Sequence, residues 1–431
     1  MSLTTARPEV STARELGPGG TTPSRPSILV IAPTPFFADR GCHVRIYEET
    51  RLLQHLGYHV EICTYHHGRE LPGVFTRRTP NFPWYKKLGP GPSLHKFYVD
   101  IFLLFRCLAV AREIRPAVIH AHLHEGAFFG AIVSRLLRIP CVADLQGSLT
   151  GELADYGFGG KNRLLYGVLR TVENWINGSV DHIVVSSAAF REDLIQRFKI
   201  PEDRVTEVRD GVGESFFETP PPGARERLGI PARNKVVAFV GVLTRLQGRE
   251  ILLDVIPQVL DARDDVTFVV VGFPGEADCA RRLDHRGYRE RVHFVGRVDY
   301  LRIAEILGES NLAISPKISE TEGNGKLFNY MAAGLPTVVF DNPVNREILG
   351  DDGIYVKDRE ASAFARGILA ALEDEAGSVE IGRRLRGRAE KRAWSRNRGT
   401  LMKVYREAML RRGKKSALDS FPESDREEGS A

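Results

Sequence analysis

The sequence predicts an α/β protein built from two doubly wound domains that face each other across a cleft. Three observations carry this expectation. From Ser27 onward, short β-branched runs alternate with amphipathic helical stretches, the pattern of a parallel sheet covered on both faces. The alternation breaks at a proline-rich join, ETPPPGARERLGIPARN, and then starts again. The chain, at 431 residues, is also longer than one ordinary core organises.

Taken in order, the chain opens on a polar stretch without an apolar segment, which reads as a disordered leader over 1–25 rather than a signal peptide or anchor. The first set of strands is expected at SILVIAP, HVEICTY, AVIHAH, CVADLQ, HIVVSS and VTEVRD, each followed by a helical stretch or turn. These define an N-terminal domain over 26–215. The second set, KVVAFVG, VTFVVVG, VHFVG, LAISP, PTVVF and GIYV, defines a C-terminal domain over 216–393. Helical sequence dominates beyond about residue 357, and 394–412 forms a separate last helix. Past Arg412 the polar GKKSALDSFPESDREEGSA reads as a frayed tail over 413–431.

Composition narrows the function classes. With 42% hydrophobic and 27% charged residues the chain is an ordinary globular protein, and its net charge of +5 is too small to argue for nucleic acid. Five scattered cysteines with no C-x-x-C pair speak against a disulfide framework or a zinc site and predict a reducing, cytoplasmic setting. No run reaches the roughly 18 apolar residues of a membrane span. The longest, FYVDIFLLFRCLAVA, is interrupted by Asp100 and Arg106.

The most informative stretch is SPKISETEGNGKLFNYMAAGLPTVVFD, Ser315 to Asp341. A buried strand, LAISP, leads through EGNGK into the helix KLFNYMAAG, and ligands of open α/β sheets bind outside the carboxyl ends of such strands. Gly323 and Gly325 let the backbone adopt positive φ and approach a ligand, while Lys326 adds a point charge for phosphate. It is neither a Walker loop nor a G-x-G-x-x-G fingerprint. Glu322 beside a phosphate makes sense as an acceptor for ligand hydroxyls, so phosphate and hydroxyls together suggest a sugar nucleotide. A surface turn with a capping glutamate accounts for the same residues.

This stretch resembles the donor-site signature of retaining glycosyltransferase family four, E-G-x-G followed by a helix ending in A-G-x-P. The similarity runs from about Ile28 to Arg406. VVSSAAFREDLIQRFKIPEDRVTEVRDGVGESFF is similar to the family's domain join, FVGVLTRLQGREILLDVIPQVL to the start of its nucleotide domain, and VVVGFPGE and VHFVGRV to the next strands. Trp394 stands where the family often has a tryptophan before its final helix. The resemblance implies the GT-B fold, two Rossmann-like domains, with the final helix crossing back to the first.

Departures from the family pattern fall in the donor site. The family's Arg after VG and Lys before the next Gly, which hold the donor diphosphate, are Val242 and Gln247 here. Its second glutamate, which binds the nucleotide ribose, is Asn329, whose amide both donates and accepts hydrogen bonds. Diphosphate neutralisation then falls to Arg245, Lys326, Lys317 and the helix start. Gly272, Gly296, Gly323, Asn324 and Gly325 complete the donor side implied by the resemblance, with the base against the loop after Gly296 and the sugar hydroxyls on Glu322.

On the first domain the resemblance places Gly41 against the transferred sugar and His43 and Arg45 on the acceptor side. VIHAHLHEG sets His120, His122 and His124 at alternating positions, which a strand would display on one face. A metal is one reading of that row, but no carboxylate or thiol cluster lies near in sequence, so core or hydrogen-bonding histidines are the better reading. In the resembling family a histidine here contacts the donor sugar or leaving phosphate, which by position is His122, with Glu125 close enough for an acceptor. Gln146 replaces the usual histidine of His-Gly-Ser, and its loop, with Ser148, lines the acceptor side.

The resemblance thus implies a glycosyltransferase that moves a sugar from a nucleoside diphosphate sugar to a hydroxyl acceptor without metal or other cofactor. His122, Glu322 and Lys326 are the catalytic candidates. A non-catalytic sugar-nucleotide scaffold and another GT-B enzyme, such as an epimerase, are the alternatives. Finally, RRTPNFPWYKKLGPGPSLHKFYVD interleaves Arg77, Arg78, Lys86, Lys87 and Lys96 with Phe82, Trp84 and Tyr85, a mixture suited to an anionic membrane surface or to a solvated loop, with no accompanying nucleic-acid-binding signature.

Overall fold

A strand covered by helices on both faces has no solvent side, and the central runs are apolar for that reason: every residue of Val118–His122, Cys141–Leu145 and Val266–Val271 is buried. The computed structural model describes residues 25–38, 41–88, 93–150, 163–284, 287–318 and 324–422. In it β1 (Ser27–Ala32), β2 (His59–Thr64), β3 (Phe75–Arg78), β4 (Val118–His122), β5 (Cys141–Leu145), β6 (His182–Val185) and β7 (Val205–Glu207) form a parallel sheet in the order β3-β2-β1-β4-β5-β6-β7. A second parallel sheet holds β8 (Lys235–Val240), β9 (Val266–Val271), β10 (Val292–Gly296), β11 (Leu312–Ser315), β12 (Thr337–Phe340) and β13 (Ile354–Val356), in the order β10-β9-β8-β11-β12-β13. Strand order reverses at β1 in the first sheet and at β8 in the second, and the crevice at each reversal is where such sheets bind ligands.

β3 was not expected from the sequence. Its four residues, FTRR, carry two arginines, and it is an edge strand whose Arg77 and Arg78 reach the carboxylates of Glu61 and Glu70. Four helices matter for the first-domain side of the cleft: α1 (Gly41–His55), α2 (Leu94–Ile114), α3 (Leu123–Leu137) and α4 (Arg163–Ser179). α2 is capped by Ser93, whose hydroxyl accepts from the His95 N–H, and ends at Arg115 in a left-handed conformation with φ 45°.

The chain returns to the first domain after the second is complete. Trp394 donates its backbone N–H to Val212, and the helix Arg398–Arg411 packs on β5 and β6. The tail expected to fray from residue 413 instead packs on the first domain through Phe421, which is fully buried with its ring stacked 4.9 Å from that of Tyr58. One aromatic in a polar run was enough to anchor it. Across the cleft, Tyr300 inserts between Phe37, Tyr47 and Phe216 and donates its hydroxyl to Glu48 at 3.1 Å, while Arg69 pairs with Asp299.

Candidate active site

The loops at the carboxyl ends of β8 and β11 are held together by glycines at positions where a side chain has no room. Gly248 has φ +83°, and a Cβ there would collide with the Pro316 carbonyl. Ile318 donates its N–H to Leu246 across the same junction, 3.2 Å. Gly272, expected on the donor side, is buried, and a Cβ on it would strike the Gly241 carbonyl, so its part is to let the β8 loop pass close by. Gly241, with φ +150°, in turn makes room for Lys326: a Cβ there would lie 2.8 Å from the lysine Nζ.

Lys326 begins the helix Lys326–Ala332 and turns back under this loop. Its Nζ donates to Gln247 Oε1 at 2.8 Å and lies 4.9 Å from the centre of the Phe239 ring. Two positions the sequence could only note separately, the lysine gained at 326 and the glutamine standing at 247, are therefore in contact. Arg245 is exposed on the same loop, and Asn329 is half-buried one turn into the helix. Glu322 and Gly323 lie outside the described residues.

Other donor-side expectations change. Asn324 does not offer its side chain to a ligand: it is 2% exposed and bonds Asn345 at 2.8 Å and Ser315 at 3.2 Å, pegging the loop to β11. Gly325 has φ −55°, not the positive φ expected, and what distinguishes it is the open space where a Cβ would be. Lys317 is 2% exposed and is not a surface cation for a diphosphate. Gly296 ends β10 at φ +74°, beside a hollow lined by Phe273, Gly275, Glu276 and Arg297, with Arg297 5.1 Å over the Phe273 ring.

The first-domain side departs further from expectation. Gly41 starts α1 with open space at its Cβ. His43 and Arg45, expected to meet the acceptor, point inward because α1 lays that face on the sheet. His43 is fully buried, bonded to Thr34 and accepting from the Ala38 N–H at 2.8 Å. Arg45, 2% exposed, donates to both oxygens of Asp144 at 2.8–3.0 Å, to the Val208 carbonyl at 2.9 Å and to Asp210 at 2.7 Å. Glu49, one turn on, approaches it at 3.2 Å.

His122 belongs to this buried group and is not presented at the cleft surface: it is 1% exposed, stacked on His120 at 4.7 Å and 3.5 Å from Glu49. His124 is not on the strand face with the other two histidines; it lies in α3, 3.6 Å from Glu173. Glu125 is 38% exposed in the first turn of α3 and is held by Lys96 at 2.7 Å. Gln146 is half-buried, and the Ser148 hydroxyl bonds that of Thr150.

Carboxylates that seemed missing near the histidines come from elsewhere in the chain. Glu49, His120, His122 and Asp144 place ligand atoms within 4.8 Å of one another. The two imidazoles, however, are parallel to within 8°, so their in-plane lone pairs run side by side and do not converge on a common point, and Arg45 already supplies positive charge to both carboxylates. Burial works against Arg45's charge, yet Asp144, Glu49 and Asp210 raise its pKa further; burial likewise opposes Asp144's charge, but Arg45 holds that carboxylate far below its usual range. Burial, then Asp144, pushes Glu49 well up, and burial with His120 holds His122 well down. The group is an Arg45–Asp144 ion pair packed against Glu49 and the two stacked histidines. Sequence reasoning missed Glu49 and Asp144, although the i,i+4 pair Arg45/Glu49 and an aspartate inside the apolar run CVADL were visible signals.

Two facing parallel-sheet domains, a closing helix that returns to the first, and a lysine-bearing glycine loop at the second sheet's switch point define a two-domain transferase of the GT-B type. The chain belongs to the group 1 glycosyl transferases: residues 234–374 match the model described as "Glycosyl transferases group 1" and residues 40–211 match "Glycosyl transferase 4-like domain". It is an enzyme of sugar transfer. Among curated proteins it is similar to a D-inositol 3-phosphate glycosyltransferase of Thermobispora bispora, 25% identical over 394 residues that cover 86% of this chain and 90% of that one. It is also similar to an uncharacterized glycosyltransferase of Methanocaldococcus jannaschii, 26% identical over 60% of this chain and 66% of the relative. Among solved structures, sucrose-phosphate synthase from Thermosynechococcus elongatus shares the fold with a TM-score of 0.68 at 19% identity, covering 90% of this chain and all of that one.

Proposed function

We propose that this glycosyltransferase takes its sugar from a nucleoside diphosphate sugar and passes it to a hydroxyl acceptor with retention at the anomeric carbon. The observation that carries the reading is the Lys326 ammonium, 2.8 Å from Gln247 Oε1 at the β8–β11 switch point. It supplies, from the start of the helix, the positive charge that the β8 loop lacks at Val242 and Gln247. Solved relatives of the same fold include one from Anabaena described in complex with UDP-glucose, at a TM-score of 0.63 and 18% identity.

In this reading the diphosphate faces Lys326, Gly325 and Arg245, the base lies in the hollow beside Gly296 against Phe273 and Arg297, and Asn329 exchanges hydrogen bonds with the ribose. Glu322 takes the sugar hydroxyls, and Gly41 leaves room for the sugar. The bond from the anomeric carbon to the phosphate oxygen breaks as the acceptor oxygen bonds the same face. The departing phosphate receives the acceptor's proton, and Lys326 stabilises the charge that develops on it. His122 lies buried against His120 and Glu49, away from the cleft surface.

A thermal-shift panel of sugar nucleotides tests the donor, because a ligand that binds only the folded state raises Tm by mass action. The anomeric configuration of the product, read by NMR, tests retention. Val242 and Gln247 favour one second reading, a sugar-nucleotide-binding scaffold without turnover. Donor hydrolysis or transfer by the purified protein excludes that scaffold; a Tm shift with neither reaction selects it.

A further inference from the structure

The outer face of α2 carries an apolar stripe without a partner among the described residues. Leu94, Phe97, Ile101 and Phe105, spaced three and four apart along one side of the helix, are 93%, 80%, 48% and 64% exposed. Monomeric soluble proteins rarely leave such a row uncovered. The opposite side of the same helix is ordinary core, with Val99, Leu103 and Cys107 fully buried. The stripe is thus a second apolar face on a helix that already has one.

Its surroundings say what it meets. Trp84, 67% exposed, is fixed at the start of the stripe: its indole N–H donates to the Tyr98 hydroxyl at 2.7 Å, and Phe82 beneath it packs on Tyr98 and Phe102. Lys86 and Lys87 are exposed beside it, and Arg112 continues the stripe at its far end. From Arg77 to Arg115 the chain holds eight lysines and arginines against two acidic residues, Asp100 and Glu113, a surplus of six that falls to three once Glu61, Glu70 and Glu125, paired with Arg77, Arg78 and Lys96, are counted. Both acidic groups are engaged, Asp100 by the Tyr65 hydroxyl at 2.6 Å and Glu113 by Arg77 at 2.8 Å.

We infer that this face docks on an anionic lipid bilayer, with α2 lying in the interface and Trp84 and the flanking cations at headgroup level. Aromatic and aliphatic side chains alone would suit any apolar partner; the exposed cations Lys86, Lys87 and Arg112 beside them select a negatively charged surface. The sequence had put the contact in the loop 77–96. The structure moves it, since Arg77, Arg78 and Lys96 are spent on Glu61, Glu70 and Glu125, and the apolar half comes from α2. No described helix is long and apolar enough to cross a membrane, so α2 lies on the bilayer and does not span it. Helices of a parallel sheet start at the carboxyl ends of its strands, and Lys96 reaches Glu125 there, so the docked face borders the cleft mouth.

The test does not depend on which sugar is transferred. The full chain is sedimented with vesicles of pure phosphatidylcholine and with vesicles containing about a third phosphatidylglycerol. The expected result is binding to the anionic vesicles at least tenfold tighter than to neutral ones, weakening with salt. Phe97→Ser/Phe105→Ser and Lys86→Glu/Lys87→Glu should each lose about tenfold or more with Tm unchanged, the altered side chains being exposed. No binding, equal binding to both vesicles, or equal binding by the variants overturns the proposal. So does a dimer in lipid-free sedimentation that Phe97→Ser/Phe105→Ser dissolves, which would show a second copy on this face.

Discussion

Lys326 and Gln247, 79 positions apart, are joined by a hydrogen bond of 2.8 Å that sets the lysine's ammonium beneath the loop after β8. The pairing sets a positive charge from the start of the helix against the β8 loop, whose own position 247 is neutral. A neutral partner suits this, because a lysine at 247 would face Lys326 as a like charge.

Lys326→Ala should lower kcat by about 10²–10³, the range for removing one preorganised group that stabilises developing charge. Adding Gln247→Lys to that variant should recover part of the loss, and Lys87→Ala, on the exposed loop before α2, should leave transfer to a soluble acceptor unchanged. Equal losses for Lys326→Ala and Lys87→Ala would remove Lys326 from the diphosphate site. Initial rates with the donor identified by thermal shift decide it.

Glu48 links protonation to the contact between the domains. Burial pushes its carboxyl up to about 7, against the lowering effect of the Tyr300 hydroxyl. A carboxyl whose folded pKa lies above its unfolded value binds its proton more tightly when folded. Its contribution is full below about pH 4.5 and is lost as pH rises through 7, on the order of 3 kcal/mol in total. Wild type should therefore lose stability between pH 5 and 8 relative to Glu48→Gln, which keeps the neutral shape. Parallel pH profiles of Tm for the two proteins would contradict the assignment.

Breaking the Arg45–Asp144 pair should be among the most damaging changes in the first domain. Arg45→Met leaves Asp144 buried without its cation, at a cost of about 3–5 kcal/mol. Arg45→Met/Asp144→Leu should be less damaging than Arg45→Met alone, since no uncompensated charge stays inside. Asp144's folded pKa is depressed, so the pair's contribution persists above the ordinary carboxylate range and fades only in acid. Chemical denaturation of the three proteins at pH 7 gives the comparison.

Gly248→Ala should destabilise the second domain by about 1–3 kcal/mol, because φ +83° and the Pro316 carbonyl both exclude a Cβ. It should also weaken sugar-nucleotide binding, as the two loops that meet there part. A Tm and a donor affinity both within error of wild type would show that the junction is held by other contacts.

The sequence alone determined the two domains, nearly all the strands and their parallel sense, since these follow from local periodicity: a run buried on both faces is apolar throughout, and the restart after ETPPPGARERLGIPARN can be read directly. It also singled out the loop before Lys326, because its glycines are local features. It could not show that His43 and Arg45 turn inward, since both sides of α1 carry polar residues and only docking on the sheet chose which is covered. Nor could it show Arg45 meeting Asp144, 99 positions away, Lys326 meeting Gln247, or Phe421 closing on Tyr58. Those pairings are decided by tertiary structure: a side chain's partner depends on which elements the sheet order brings side by side, and spacing along the chain carries no record of that.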